Sequence, residues 1–162
     1  PTGRSREAAR PHLRFPAGLA PDQPEGVRAL LDDQPDAVFI DGYNVAGAVD
    51  ASLVGSREGR NAAIRVADRI KRTVPAADVV VVFDAREASG RSGFLTPDGV
   101  VVVFESEGSA DDRIAEEAAH EGDRCLVVTS DRDLQARCGR DGCVVVFSEA
   151  VLAWSEPLNG DR

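Results

Sequence analysis

Residues 37–44 read Ala-Val-Phe-Ile-Asp-Gly-Tyr-Asn, an unbroken apolar run halted by a carboxylate and a glycine. An apolar run without polar alternation suits a strand covered on both faces, so Ala37 to Asp41 is expected to be the first strand of a parallel sheet. The same design recurs along the chain. Val79 to Phe83 ends at Asp84, Val100 to Phe104 makes a third run, Leu126 to Thr129 is followed by Asp131, and Val144 to Phe147 makes a fifth.

Helical periods lie between these runs. Ile64, Ala67 and Ile70 predict a helix over about Arg57 to Thr73. Ser109 and Asp112 form a capping pattern that opens a helix with Ile114, Ala115, Ala118 and Ala119 on one side, and Ser130 with Asp133 repeats it for a helix ending near Gly139. Ser148 is expected to cap a short last helix through Leu152 and Trp154. Gly42, Tyr43 and Asn44 read as a turn, and the stretch around residues 90–93 as a Gly- and Ser-rich loop. Strand and helix in alternation imply a parallel α/β sheet with right-handed crossovers, in which ligands bind outside the carboxyl ends of the strands.

Acidic residues collect at that edge. Asp41 and Asp84 follow strands, Asp111 and Asp112 open a helix, and Asp131 and Asp133 follow the fourth strand. Asp112 and Asp133 have a plain reading as helix N-terminal acids, whereas Asp41 and Asp84 precede no evident helix cap. Together they would repel one another unless a divalent cation neutralised them, and hard carboxylate oxygens suit Mg²⁺ or Mn²⁺. Metal-assisted hydrolysis is the chemistry that this pattern implies.

Composition sets bounds on that reading. The chain of 162 residues, 43% hydrophobic, is the size of one domain, expected over residues 25–162 behind a leader, residues 1–24, rich in proline and arginine. Its start at Pro1 and its lack of methionine suggest a piece of a longer polypeptide with a missing N-terminal part. A formal net charge of -9 disfavours general attraction to nucleic acid, so a polyanionic substrate would need a local basic patch. Cys125, Cys138 and Cys143 lack CxxC spacing and have only His12 and His120 to join them, which reads as reduced thiols in a cytoplasmic protein and not as a zinc site. No apolar run approaches a membrane span, and no signal peptide is evident. Neither a GxSxG elbow, a GxxxxGK[ST] loop nor a GxGxxG turn is present, which removes the usual parts for acyl transfer and nucleotide-loop chemistry.

The ordered set IDGYNV, VVVFDA, SADDRI and VVTSDRDLQ resembles the NYN branch of PIN-like nucleases, and within it the YacP-like proteins, from about Val38 to Val151. The resemblance implies a three-layer PIN-like (NYN) sandwich around a five-stranded parallel sheet of order 3-2-1-4-5. It implies a metal pocket of Asp41, Asp84, Asp111, Asp112 and Asp131, with Asp133 as a further ligand and Asn44 orienting substrate or a water. Divalent-metal-dependent hydrolysis of RNA follows, with Mg²⁺ or Mn²⁺ as cofactor and an endonucleolytic mode. Arg60 falls where the family tends to carry an arginine, and Arg57, Arg60 and Arg86 are the candidates for phosphate contacts. The acidic charge points to capture through the missing part of the chain or through a ribonucleoprotein such as the ribosome, the last on resemblance alone. The alternatives are a non-catalytic RNA- or protein-binding module of the same fold and a metal-dependent phosphatase of small esters.

Overall fold

Helix α1 (Pro24–Asp32) opens with proline in its first turn and ends where Gln34 takes a positive φ of 58° before Pro35. The computed structural model describes residues 11–85 and 92–156. After α1 come β1 (Ala37–Asp41), α2 (Gly42–Val49), α3 (Arg57–Thr73), β2 (Asp78–Asp84), β3 (Phe94–Leu95), β4 (Val101–Glu105), α4 (Ala110–Glu121), β5 (Cys125–Val128), α5 (Arg132–Arg140), β6 (Val144–Val146) and α6 (Ser148–Ser155).

The sheet has six strands in the order β3-β4-β2-β1-β5-β6, so the expected all-parallel sheet of five is corrected to a mixed sheet of six. Its five parallel strands lie side by side as β4-β2-β1-β5-β6. The addition is β3, which pairs antiparallel with β4, Phe94 opposite Val102 and Leu95 opposite Val101. A turn makes this hairpin, with the Gly99 amide donating to Thr96 O at 2.9 Å and Gly99 at φ +98°. Two residues are too few to show an apolar period, which is why the sequence reads there as loop.

Side-chain alternation divides the core into two layers. Val38 and Ile40 of β1, Val79, Val81 and Phe83 of β2, and Leu126 and Val128 of β5 pack with α1, α2, α3 and α6. Ala37, Phe39, Val82, Cys125 and Val127 face the other way and pack with Ile114, Ala115 and Ala118 of α4 and Leu134 and Cys138 of α5. Each fully buried Leu, Ile, Val or Phe contributes about 1.5–3 kcal/mol relative to exposure, which explains why the strands are apolar on both faces.

The expected Gly42-Tyr43-Asn44 turn is instead the first turn of α2, and Asp41 occupies the N-cap position without a full capping hydrogen bond. Glycine is needed at position 42 because a Cβ there would lie 2.3 Å from the Phe83 ring. Asp131, not Ser130, is the N-cap of α5, and Phe147, not Ser148, precedes α6. The Ser109 cap of α4 is as expected, its hydroxyl accepting from the Asp112 amide at 3.0 Å. Upstream, residues 11–23 lie against the domain. Leu13 is buried in the core, its amide donates to Asp123 O, and the Phe147 amide donates to Pro21 O. Among the described residues no helix is long and apolar enough to cross a membrane.

The chain winds from β1 to β2 and β4 on one side, then returns through α4 to β5 on the other. The carboxyl ends of β1 and β5, which pair directly, therefore form the switch point, the place at which ligands bind in open α/β sheets.

Candidate active site

Asp41 closes β1 at that switch point and is 8% exposed. Thr129, the first residue past β5 and fully buried, donates its hydroxyl to Asp41 Oδ2 at 3.1 Å. The same hydroxyl accepts from the Asp131 amide at 3.1 Å, and Gln135 Nε2 donates to Thr129 O at 2.8 Å. Thr129 thus fixes the first acid and the turn that carries the third.

Helix α4 starts beside this turn and supplies Asp111. Burial first, then the charge of Asp131 and a side-chain hydrogen bond shared with it, push the Asp111 carboxyl above its usual range, with Asp112 adding to the rise and Arg137 opposing it. Burial, followed by repulsion from Asp111, pushes Asp41 up to about 7. The Thr129 hydroxyl and the Asn44 amide pull in the opposite direction, and Asp131 adds to the rise. Asp131 uses Oδ1 as the cap of α5, accepting from Asp133 N at 2.9 Å and Leu134 N at 3.2 Å. Asp41, Asp111 and Asp131 are therefore electrostatic neighbours with a surplus of negative charge.

The other sequence candidates take different places. Asp84 ends β2 on the same edge, opposite Glu105 of β4, one strand away from Asp41. Asp112 turns outward, two-thirds exposed, and pairs with Arg137 Nη1 at 2.9 Å, a bond that holds its carboxyl below the usual range with help from Ser109. Asp133 is exposed in the first turn of α5. Asn44 Oδ1 accepts from Ser130 N at 2.9 Å and Ser148 Oγ at 2.6 Å, tying α2 to the turn after β5 and to α6. Ser130 Oγ in turn accepts from the Ser148 amide and donates to Glu149.

Arg60 is 7% exposed, and its Nη1 donates to Tyr43 Oη at 3.3 Å and Gly55 O at 3.1 Å, so it braces α3 against α2. Arg57 is exposed one turn earlier, and Arg86 lies outside the described residues. Thr129 and Arg137, which bond Asp41 and Asp112, are not among the candidates drawn from the sequence. The Thr-Ser-Asp order after an apolar run is a signal for the first, whereas the second shows only once α4 and α5 are packed together.

The donor set fits a hard divalent cation: carboxylate oxygens without a soft ligand, two of them with proton affinity raised by burial first and by neighbouring acids second. Among the described residues no group of three or more Asp, Glu, His or Cys side chains is gathered closely enough to hold an ion as it stands.

The family model for the YacP-like NYN domain matches residues 38–155. The crystal structure of Rae1 (YacP) from Bacillus subtilis is similar, with a TM-score of 0.58 and 27% identity over 73% of this chain and 73% of that one. No curated protein sequence matches the chain.

Proposed function

The chain belongs to the YacP-like NYN domain family, a family of PIN-like nucleases, and from that premise we propose that it is a divalent-metal-dependent endoribonuclease. The observation that carries the proposal is the placing of Asp41, Asp111 and Asp131 as electrostatic neighbours at the sheet's switch point, where the Thr129 hydroxyl bonds both Asp41 and the Asp131 amide. Asp41, Asp111 and Asp131, with Asp84 one strand away, would hold Mg²⁺ or Mn²⁺. The ion, when bound, supplies Lewis acidity at the phosphate and makes water more acidic. Thr129 keeps Asp41 in position, and the cap at Asp131 fixes the start of α5.

Neither histidine is placed to act as a general base for attack by a 2′-hydroxyl. His12, in the segment 11–23 that lies against the domain, pairs with Asp123, and His120 lies in the last turn of α4, the helix whose first turn carries Asp111. Water is thus the nucleophile, and the products carry 5′-phosphate and 3′-hydroxyl ends. The charge of -9 supports presentation of substrate by a partner such as the ribosome.

The test is cleavage of free and ribosome-bound RNA in Mg²⁺, Mn²⁺ or chelator, with the ends mapped. Activity should vanish in chelator and in Asp41→Asn. Metal-independent cutting, or 2′,3′-cyclic ends, would refute the mechanism. Hydrolysis of a small phosphate ester without cleavage of RNA would support a phosphatase instead.

A further inference from the structure

Three arginines near the described acids and strand ends are committed to structure. Arg60 is buried against Tyr43 and Gly55, and Arg113 bridges Glu105 and Glu117 at 2.8 and 2.9 Å. Arg124 is buried at the amino-terminal end of β5, where it donates to the carbonyls of Pro11, Asp33 and Gln34. Arg137 is different. It is partly exposed on α5, donates to Asp112 at 2.9 Å, and its charge favours the ionised form of Asp111. It is therefore a cation at the margin of the carboxylate pocket.

An open groove of about 450 Å³ runs past it between α4 and α5, bordered by Asp112, Glu116, Arg137, Arg140 and Asp141. Arg137 and Arg140 are three apart on one helix, which places their Cβ atoms about 5–6 Å apart along the groove. Resting on the reading of the pocket as a ribonuclease centre, we propose that Arg137 is the phosphate-binding residue of this site, held in position by Asp112, and that RNA runs from the acids along the α4–α5 groove past Arg140.

The Asp112–Arg137 bond is half-exposed, and such pairs contribute about 0–1 kcal/mol, so a phosphate can displace Asp112 from the guanidinium at small cost. Guanidinium has five donors in a fixed fork and only one is engaged with Asp112, leaving a planar set for two phosphate oxygens. In this arrangement Asp112, two-thirds exposed and bonded to the guanidinium, is a positioning residue for Arg137 and not a metal ligand. The acids Glu116 and Asp141 confine the basic surface to a narrow track, in keeping with a chain that is acidic as a whole.

Binding of a labelled single-stranded RNA, free and on a ribosome, is measured with Mg²⁺ over a series of salt concentrations in the Asp41→Asn background, where nothing is cut. Arg137→Ala should weaken affinity about tenfold and reduce the slope of log K against log salt by about 0.7, the value for one phosphate contact on a single strand. Arg137→Lys should recover part of the loss, and Asp112→Asn should bind RNA as well or better. In the cleaving enzyme Arg137→Ala should raise KM more than it lowers kcat, while Asp112→Asn still cuts. Melting temperatures identify any variant that fails to fold, and Arg137→Gln then replaces it. Unchanged affinity and salt slope in Arg137→Ala, while the parent binds, would overturn this inference alone. Loss of both cleavage and metal affinity in Asp112→Asn would overturn it as well, by returning Asp112 to the metal ligands. A parent that binds neither form of RNA would overturn the ribonuclease reading and this inference with it.

Discussion

Thr129 donates to the Asp41 carboxylate at 3.1 Å across the β1–β5 boundary, and the same hydroxyl accepts the Asp131 amide. A neutral, fully buried side chain thereby couples two acids that lie ninety residues apart in sequence, counted from Asp41 to Asp131. Thr129→Val keeps the shape but removes both bonds and leaves the Asp131 amide unpaired. It should lower stability by about 1–3 kcal/mol and raise the Asp41 pKa further. Thermal unfolding and a carbon-13 titration of the Asp41 carboxyl report the two effects, and an unshifted titration would show that Thr129 does not stabilise the charge.

Asp41 should make stability depend on pH in a defined direction. Its folded pKa of about 7 lies above the ordinary aspartate value of 3.8, so between the two the folded state holds a proton that the unfolded state has released. Stability is therefore full below about pH 4 as far as this group is concerned, and falls as pH rises through 7. In chelator the melting temperature should drop from pH 5 to pH 8, and Asp41→Asn should flatten the drop. Mg²⁺ or Mn²⁺ should restore stability at pH 8, because only the folded site gains from an ion. A pH-independent melting temperature in chelator would remove the charge-crowding basis of the proposed site.

Asn44 should prove essential through architecture. Its Oδ1 accepts from Ser130 N and Ser148 Oγ, so Asn44→Ala leaves both donors unpaired and should cost about 1–3 kcal/mol. Ser148→Ala removes one of the two bonds and should cost less. If Asn44→Ala kept wild-type stability while abolishing cleavage, the residue would instead act on substrate.

Gly42→Ala should destabilise the domain by about 1–3 kcal/mol through overpacking against the buried Phe83 ring. Phe83→Leu makes room, so the double variant should be more stable than the sum of the single losses predicts. Simple additivity by chemical denaturation would exclude the contact as the cause.

The outline of the fold was legible because burial on both faces demands apolar strands, and Ala37–Asp41, Asp78–Asp84 and Cys125–Val128 leave no other reading. Helix α3 was equally plain, since its period runs over 17 residues. Helix α2 was hidden. Gly42, Gly47 and two valines give a weak local preference for helix, and what holds α2 is packing against α3 and α6.

Sequence by itself determined the five parallel strands of a doubly covered sheet, though not the antiparallel edge strand β3, and placed Asp41 and Asp84 at the carboxyl ends of strands, because periodicity and strand termini are local properties. Which acids meet was decided by tertiary structure. Asp111 and Asp112 are adjacent on one helix, and a rotation of about 100° per residue sends the first toward Asp131 and Asp41 and the second outward to Arg137. No local rule sets that rotation; it follows from Ile114, Ala115 and Ala118 docking α4 onto Phe39 and Val82 of the sheet. The position of Thr129 beside Asp41 has the same origin, since strand pairing and not sequence separation sets β5 against β1.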